Sequence, residues 1–304
     1  MPNDMQRTAW TEISGPRWVA QRNMYDRMLA PFQAAVIDAL NIEFTESILD
    51  VGCGYGTTTL AVADRVDRAA TVVRGVDISP AMIDHARERA GEHSHASFAV
   101  ADAQTDPLGG QVGGQVGGHG GGPDGGHGGG RGFEAAISRF GVMFFDDPTA
   151  AFANIAAAMA RGGRMAFVCW QAVPLNPFFT MGRHIRALVT DPPPLPDATA
   201  PGPAAFADAD RTAGLLQAAG WENLDFRSIT PTIRFDLATG DDGIDNAMTL
   251  VAGSEAGSLA VKHLSPVQQE IAYAAVRENL VSYLVDGAIA VPSAAWIVTG
   301  SVPG

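Results

Sequence analysis

Residues 48–60, ILDVGCGYGTTTL, place glycine at positions 52, 54 and 56, directly after an apolar run that carries one acid, Asp50. Glycine is used where backbone must turn sharply or lie close against something else. Ile48–Val51 reads as a short buried strand and Thr57–Leu60 opens a helix-compatible stretch, so the glycines sit at a strand-to-helix turn. Turns of this kind in α/β sheets hold nucleotide-like ligands. Two more acids end the strand candidates that follow: Asp77 closes VVRGVD, and Asp102 follows SFAVA.

The spacing narrows the ligand. A phosphate-binding P-loop needs a Lys after its last glycine, and none follows here. A dinucleotide turn reads G-x-G-x-x-G, whereas Gly52, Gly54 and Gly56 are spaced G-x-G-x-G, and Asp50 would repel a pyrophosphate. An acid at the turn suits a ligand with positive charge and no phosphate, which describes S-adenosylmethionine (SAM). Asp50 would join the hydrogen-bond network at its amino-acid end. Asp77 would accept both ribose hydroxyls, and Asp102 would accept the adenine amino group. Taken singly, Asp50 or Asp102 reads equally well as a loop acid.

Other residues have competing readings. Cys53 and Cys169 end apolar stretches and fit no zinc spacing or disulfide framework, so each reads as a small buried side chain. His119 and His127 fall in a glycine-rich run with no accompanying ligand set. His184 and His263 have no identifiable partner, and no general base is assigned. Trp170 ends a strand at the mouth of the expected cleft, where it either meets the acceptor or packs the core. Trp10, Trp18 and Tyr25 read as a lid or as helix packing, packing being favoured for Trp10. Trp18 and Gln21 are candidates to face the ligand.

Around these residues the chain alternates strands and helices. Strands are expected at 48–52, 72–77, 96–101, 133–138, 164–170, 223–231 and 294–300. Residues 5–40 read as helical, divided at Pro31. Ser79-Pro80 and Asp147-Pro148 are helix starts. The helix after Asp147 carries Phe152, Ile155, Ala156 and Met159 on one face and closes at Gly162. A further helix is expected near 208–219. Residues 109–132 are too polar and glycine-rich to bury anything and read as a disordered surface insert. A mostly helical insert is expected over 240–287, with a capping box at Ser265–Gln268. The division is a helical cap over 1–47 and a ligand-binding domain over 48–304.

With 304 residues, 46% hydrophobic, the chain is long enough for one large core with an appended cap. A net charge of -13, with no Lys/Arg run, argues against nucleic acid and anionic lipid. The polar start lacks the apolar centre of a signal peptide, and no stretch approaches a membrane span. A cytoplasmic protein is expected.

The motifs D-V-G-C-G-Y-G, V-D-I-S-P-A-M-I and A-D-A-Q, then FEAAISRFGVMFF and GGRMAFVCWQ, resemble a class I SAM-dependent methyltransferase. The likeness is to the small-molecule group that includes ubiquinone- and menaquinone-type C-methyltransferases. It covers residues 48–171 strongly and the rest loosely. It implies a Rossmann-like, seven-stranded, mostly parallel sheet with helices on both faces, its last strand antiparallel, and an N-terminal helical cap over the cofactor. It implies that Gly52, Gly54 and Asp77 hold SAM, with Cys53 and Gly56 in the same turn. Ile78 would pack on the adenine, and Asp102 and Ala103 would contact it. Ser138, Arg139 and Phe140 would lie beside the methionine end. The acceptor would be a small, partly apolar molecule meeting Phe140, Met143, Phe144 and Trp170. Two rivals remain: a SAM-binding protein without transferase activity, and a nucleotide-linked oxidoreductase on the same fold.

Overall fold

The computed structural model describes residues 3–69, 71–91, 95–109, 132–181, 183–191, 197–235, 244, 247–248, 264–286 and 288–304. Its main sheet contains β1 (Ile48–Val51), β2 (Val73–Asp77), β3 (Ala96–Val100), β4 (Phe133–Arg139), β5 (Met159–Trp170), β6 (Glu222–Ile229) and β10 (Ala295–Ser301). The strand order is β3-β2-β1-β4-β5-β10-β6. The pairs β3–β2, β2–β1, β1–β4 and β4–β5 are parallel; β10 runs antiparallel to both β5 and β6. The order reverses between β1 and β4, the switch point at which open α/β sheets bind ligands. All four residues of β1 are buried, so both faces of the sheet centre are covered.

The cap begins with α1 (Asp4–Thr8), a π-helical turn (Ala9–Ser14), α2 (Gly15–Ala20) and α3 (Arg22–Leu40). The expected division at Pro31 is absent: α3 runs through it. An internal proline costs about 3 kcal/mol, but α3 buries Tyr25, Met28, Leu29, Phe32, Val36, Ile37 and Leu40. Each such side chain contributes about 1.5–3 kcal/mol, which outweighs the loss. The chain instead breaks at Gln21, at φ -105° and ψ 16°. Arg164 on β5 pins the far end of α3: its guanidinium donates to Leu40 O at 2.8 Å and pairs with Glu46 Oε2 at 2.7 Å.

Helices α4 (Thr57–Ala63), α5 (Pro80–Ala90) and α6 (Pro148–Ala158) connect the strands, with α7 (Pro177–Thr180), α8 (Arg183–Ala187) and α9 (Ala209–Ala218) further on. Asp147 caps α6 by accepting from Ala150 N at 3.0 Å. Gly162 does not close that helix: α6 ends at Ala158, and Gly162 lies inside β5. There, at φ 70°, its N–H donates to Pro303 O at 3.0 Å. Within 240–287, α10 (Pro266–Val281) carries the expected capping box. A second sheet, β7 (Thr232–Phe235), β9 (Ala288–Pro292) and β8 (Leu284–Val285), was not expected. Its strands are too short to give a sequence period. Most of 109–132, including His119 and His127, and most of 240–263, including His263, lie outside the described residues, as does the side chain of His184.

Candidate functional site

The three turn glycines all take positive φ: 66° at Gly52, 56° at Gly54 and 84° at Gly56. Their surroundings differ. A Cβ on Gly52 would stand 2.7 Å from Gly141 Cα, and one on Gly56 would stand 2.9 Å from Phe98 Cζ. These two glycines are demanded by the protein's own packing. A Cβ on Gly54 would meet only Met82 Sδ, at 3.5 Å, so Gly54 presents the more open backbone. Cys53 is buried in a small apolar cluster with Ile83, Ala86 and Phe98, and its thiol donates to Gly54 O at 3.6 Å. Burial pushes that thiol well up, reinforced by Asp50 and Asp77.

Asp77, at the end of β2, holds the turn in shape. Its Oδ2 accepts from Gly54 N at 2.8 Å and its Oδ1 from Ser79 N at 2.9 Å. Burial raises its pKa, while the N–H groups of Ser79, Gly54 and Ile78 oppose the shift. A carboxylate has about four lone-pair positions, so each oxygen keeps room for a further donor. Ile78 beside it is half-buried.

Asp50 is buried inside β1 rather than placed at the loop. Thr59 on α4 donates to its Oδ2 at 2.6 Å, and its Oδ1 has no partner among the described residues. Burial raises its pKa to about 6, against the pull of Thr59 and Arg139. Ser138 Oγ and Arg139 Nη1, at the end of β4, are also buried without partners among the described residues. The other terminal nitrogen of Arg139 stands 3.8 Å from Asp26 Oδ1 on α3. Asp26 also accepts from Thr57 Oγ1 at 2.8 Å and lies 3.7 Å from Arg89. This acid ties α3 to the helix after the glycine turn and carried no motif in the sequence.

Phe140 follows at φ 60°, unusual for a residue with a side chain. The conformation brings the next residue, Gly141, against Gly52. An αL residue costs roughly 1–2 kcal/mol, and aromatic pairs contribute about 0.5–1.5 kcal/mol each. Phe140 stacks on Trp170 at 4.2 Å and meets Phe32 edge-on at 5.1 Å. Trp170 in turn meets Phe178 at 5.1 Å and Phe179 at 5.5 Å. Met143 is buried and Phe144 half-buried; Trp10 packs edge-on against Phe144 at 4.9 Å. Trp18 stacks on Tyr25 at 3.9 Å, and Gln21 is half-buried at the break before α3.

Asp102, past the end of β3, is met by the N-terminal segment. Asn3 Nδ2 donates to both carboxylate oxygens, at 3.0 and 3.1 Å, and Arg7 Nη2 to Oδ2 at 3.3 Å. Gln104 N donates to Oδ1 at 3.0 Å. Ala103 is buried beside it. Neither Asn3 nor Arg7 was visible as a site residue in the sequence, because the contact spans 99 and 95 positions.

The donor set fits an adenosyl amino acid. Asp50 Oδ1 and Ser138 Oγ can take an ammonium, and Arg139 Nη1 can take a carboxylate. Asp77 has room for hydroxyls. The fold is a Rossmann-like, seven-stranded, mostly parallel sheet with these residues gathered at its switch point. Residues 48–112 match the family model described as a methyltransferase domain. Aklanonic acid methyltransferase DauC of Streptomyces sp. (strain C5) is 30% identical over 149 residues, 47% of this chain and 58% of that protein. Demethylmenaquinone methyltransferase of Corynebacterium kroppenstedtii is 25% identical over 194 residues, 61% of this chain and 72% of that protein. The chain thus spans 58% of the length of DauC, less than two thirds. The YcgJ protein from Bacillus subtilis aligns over 90% of this chain and 98% of its own, with a TM-score of 0.54 and 17% identity, a likeness of fold alone.

Proposed function

We propose that the protein transfers a methyl group from SAM to a small, partly apolar acceptor. The observation that carries the reading is the set of buried polar atoms on Asp50, Ser138 and Arg139 that have no partner among the described residues, which matches the charges of a zwitterion. Arg139 would hold the carboxylate, while Asp50 and Ser138 would hold the ammonium. Asp77 would take the ribose hydroxyls, with Gly52, Gly54 and Gly56 bringing backbone to the adenosyl group. Bound there, the cofactor supplies an electrophilic methyl on a sulfonium. The chain's own contribution is alignment and exclusion of water. Phe140, Trp170, Phe178 and Phe179 supply an apolar wall for the acceptor, and no side chain is assigned as a base. The similar relatives named for aklanonic acid and demethylmenaquinone support a small-molecule acceptor.

Among the described residues no helix is long and apolar enough to cross a membrane. A small-molecule acceptor met in the cytoplasm, with nucleic acid disfavoured by the charge of -13, belongs to the same proposal. Calorimetric titration of SAM and of NAD, followed by turnover with a panel of small acceptors, tests it. SAM binding and methyl transfer to an apolar acceptor are expected. NAD binding without SAM binding would replace the reading with an oxidoreductase. SAM binding without turnover on any acceptor would favour a binding protein, and tight binding to tRNA at physiological salt would overturn the acceptor class.

A further inference from the structure

We propose that Asp26 is a positioning residue: from α3 it holds the Arg139 guanidinium so that Nη1 faces the carboxylate of the cofactor's amino-acid arm. The inference rests on the reading above, in which SAM occupies the strand ends and Arg139 takes that carboxylate.

Arg139 ends β4 with its side chain only 9% exposed, between acids on two other elements. It is close enough to Asp50, on β1, to draw that acid's pKa down, and its Nη2 stands 3.8 Å from Asp26 Oδ1. At that distance Asp26 contributes a charge rather than a hydrogen bond. Nη1 is buried with no partner among the described residues. A guanidinium is a rigid, planar fork, so drawing one arm towards Asp26 directs the other. A buried donor left unmet is costly, and an anionic ligand oxygen relieves it. Away from water, a charge pair orients its partners more strongly than it does on the surface.

Asp26 is itself fixed in place. Thr57 Oγ1 donates to its Oδ1 at 2.8 Å, and Arg89 Nη2 stands 3.7 Å from its Oδ2. Arg89 Nη1 donates to Thr57 Oγ1 at 2.8 Å and to Tyr55 O at 3.0 Å. The hydroxyl accepts from Arg89, so its single proton is left for Asp26. A line of polar contacts thus runs from α5 through the first residue of α4 to α3 and ends at Arg139. The backbone that carries the acid is clamped as well, because Tyr25, Met28 and Leu29 beside it on α3 are buried. Arg89 and Thr57 make Asp26 a tie between helices; the Arg139 contact is what connects that tie to the site.

The test titrates S-adenosylhomocysteine and its decarboxylated counterpart, which keeps the ammonium and lacks only the carboxylate, by calorimetry. The native protein should bind S-adenosylhomocysteine about tenfold or more tightly than the decarboxylated compound, as one charge-assisted hydrogen bond allows. Asp26→Asn removes the charge, while its amide oxygen can still accept from Thr57. Its preference should fall to within about threefold, with the decarboxylated compound bound as before. Arg139→Met should abolish the preference, and adding Asp26→Asn to it should cost nothing further. Thr57→Val cuts the tie between helices and leaves the ion pair, so it should lower the melting temperature and keep the preference. Melting curves show that each variant is folded. Equal weakening of both compounds in Asp26→Asn would make Asp26 a brace of the fold and overturns the proposal. A larger preference in that variant would make the acid a competitor of the ligand carboxylate and overturns it too. Native protein that binds the two compounds alike overturns this inference and leaves the SAM reading standing; native protein that binds neither overturns both.

Discussion

Two carboxylates on neighbouring strands, Asp77 at the end of β2 and Asp50 inside β1, do different work because their surroundings differ. Asp77 accepts the backbone N–H of Gly54 on one oxygen and that of Ser79 on the other, with the Ile78 N–H also acting on it. It therefore supports the turn and keeps room for a ribose. Hydrogen bonds to a charged group contribute roughly 1.5–3 kcal/mol each. Asp77→Ala should weaken SAM binding about a hundredfold, near 3 kcal/mol, and should also lower the melting temperature. Calorimetry with melting curves checks both; unchanged affinity with a lowered melting temperature would leave Asp77 as a structural residue only. Asp50 is poised differently, since burial raises its pKa to about 6. Its folded pKa lies above the unfolded value, so the folded state holds the proton longer, and stability falls as pH rises from about 4 towards 6. The ionised form is the one that pairs with an ammonium. SAM affinity should therefore increase as pH rises through about 6, and Asp50→Asn should flatten that rise in titrations from pH 5 to 8.

At the scale of elements, the site is the meeting of two strand ends. The β1 turn and the β4 exit touch backbone to backbone at Gly52 and Gly141, which Phe140 brings about by its left-handed φ. Gly52→Ala combines that contact with a strained φ. Overpacking costs about 1–3 kcal/mol and αL alanine about 1–2 kcal/mol, so a loss of about 2–5 kcal/mol is expected in denaturant unfolding. Gly54→Ala adds a Cβ with only Met82 near it. It should lose only about 1–2 kcal/mol of stability, from φ alone, while SAM affinity falls. Equal effects on stability from the two substitutions would contradict this division of labour.

The whole molecule places N-terminal helices and a small second sheet around a mostly parallel sheet. The glycine-rich insert enters between residues that are both firmly placed: Leu108 and Phe133 are each 1% exposed. Loop length costs only about 0.6 kcal/mol per doubling. Replacing 109–132 with a short polar turn should therefore leave SAM affinity nearly unchanged by calorimetry. A loss of binding in a folded, shortened protein would mean that the insert reaches the site.

Local signals determined much of this. The glycine spacing, the acids on the strands and the helix starts at Asp147 and Ser265 act within a few residues, so the mostly parallel sheet was legible from order alone. Long-range packing decided the rest. Pro31 stays inside a helix because α3 buries one continuous apolar face, and Gly162 turns inside a strand because its N–H meets Pro303. Cys53 is buried although it sits between two turn glycines. Asp26, Thr59 and Asn3 meet Thr57, Asp50 and Asp102 across different elements, and no spacing records such contacts. The sequence determined where the backbone turns and where three acids fall along the strands; only the tertiary structure decided which acids keep free lone pairs, because that depends on donors arriving from distant parts of the chain.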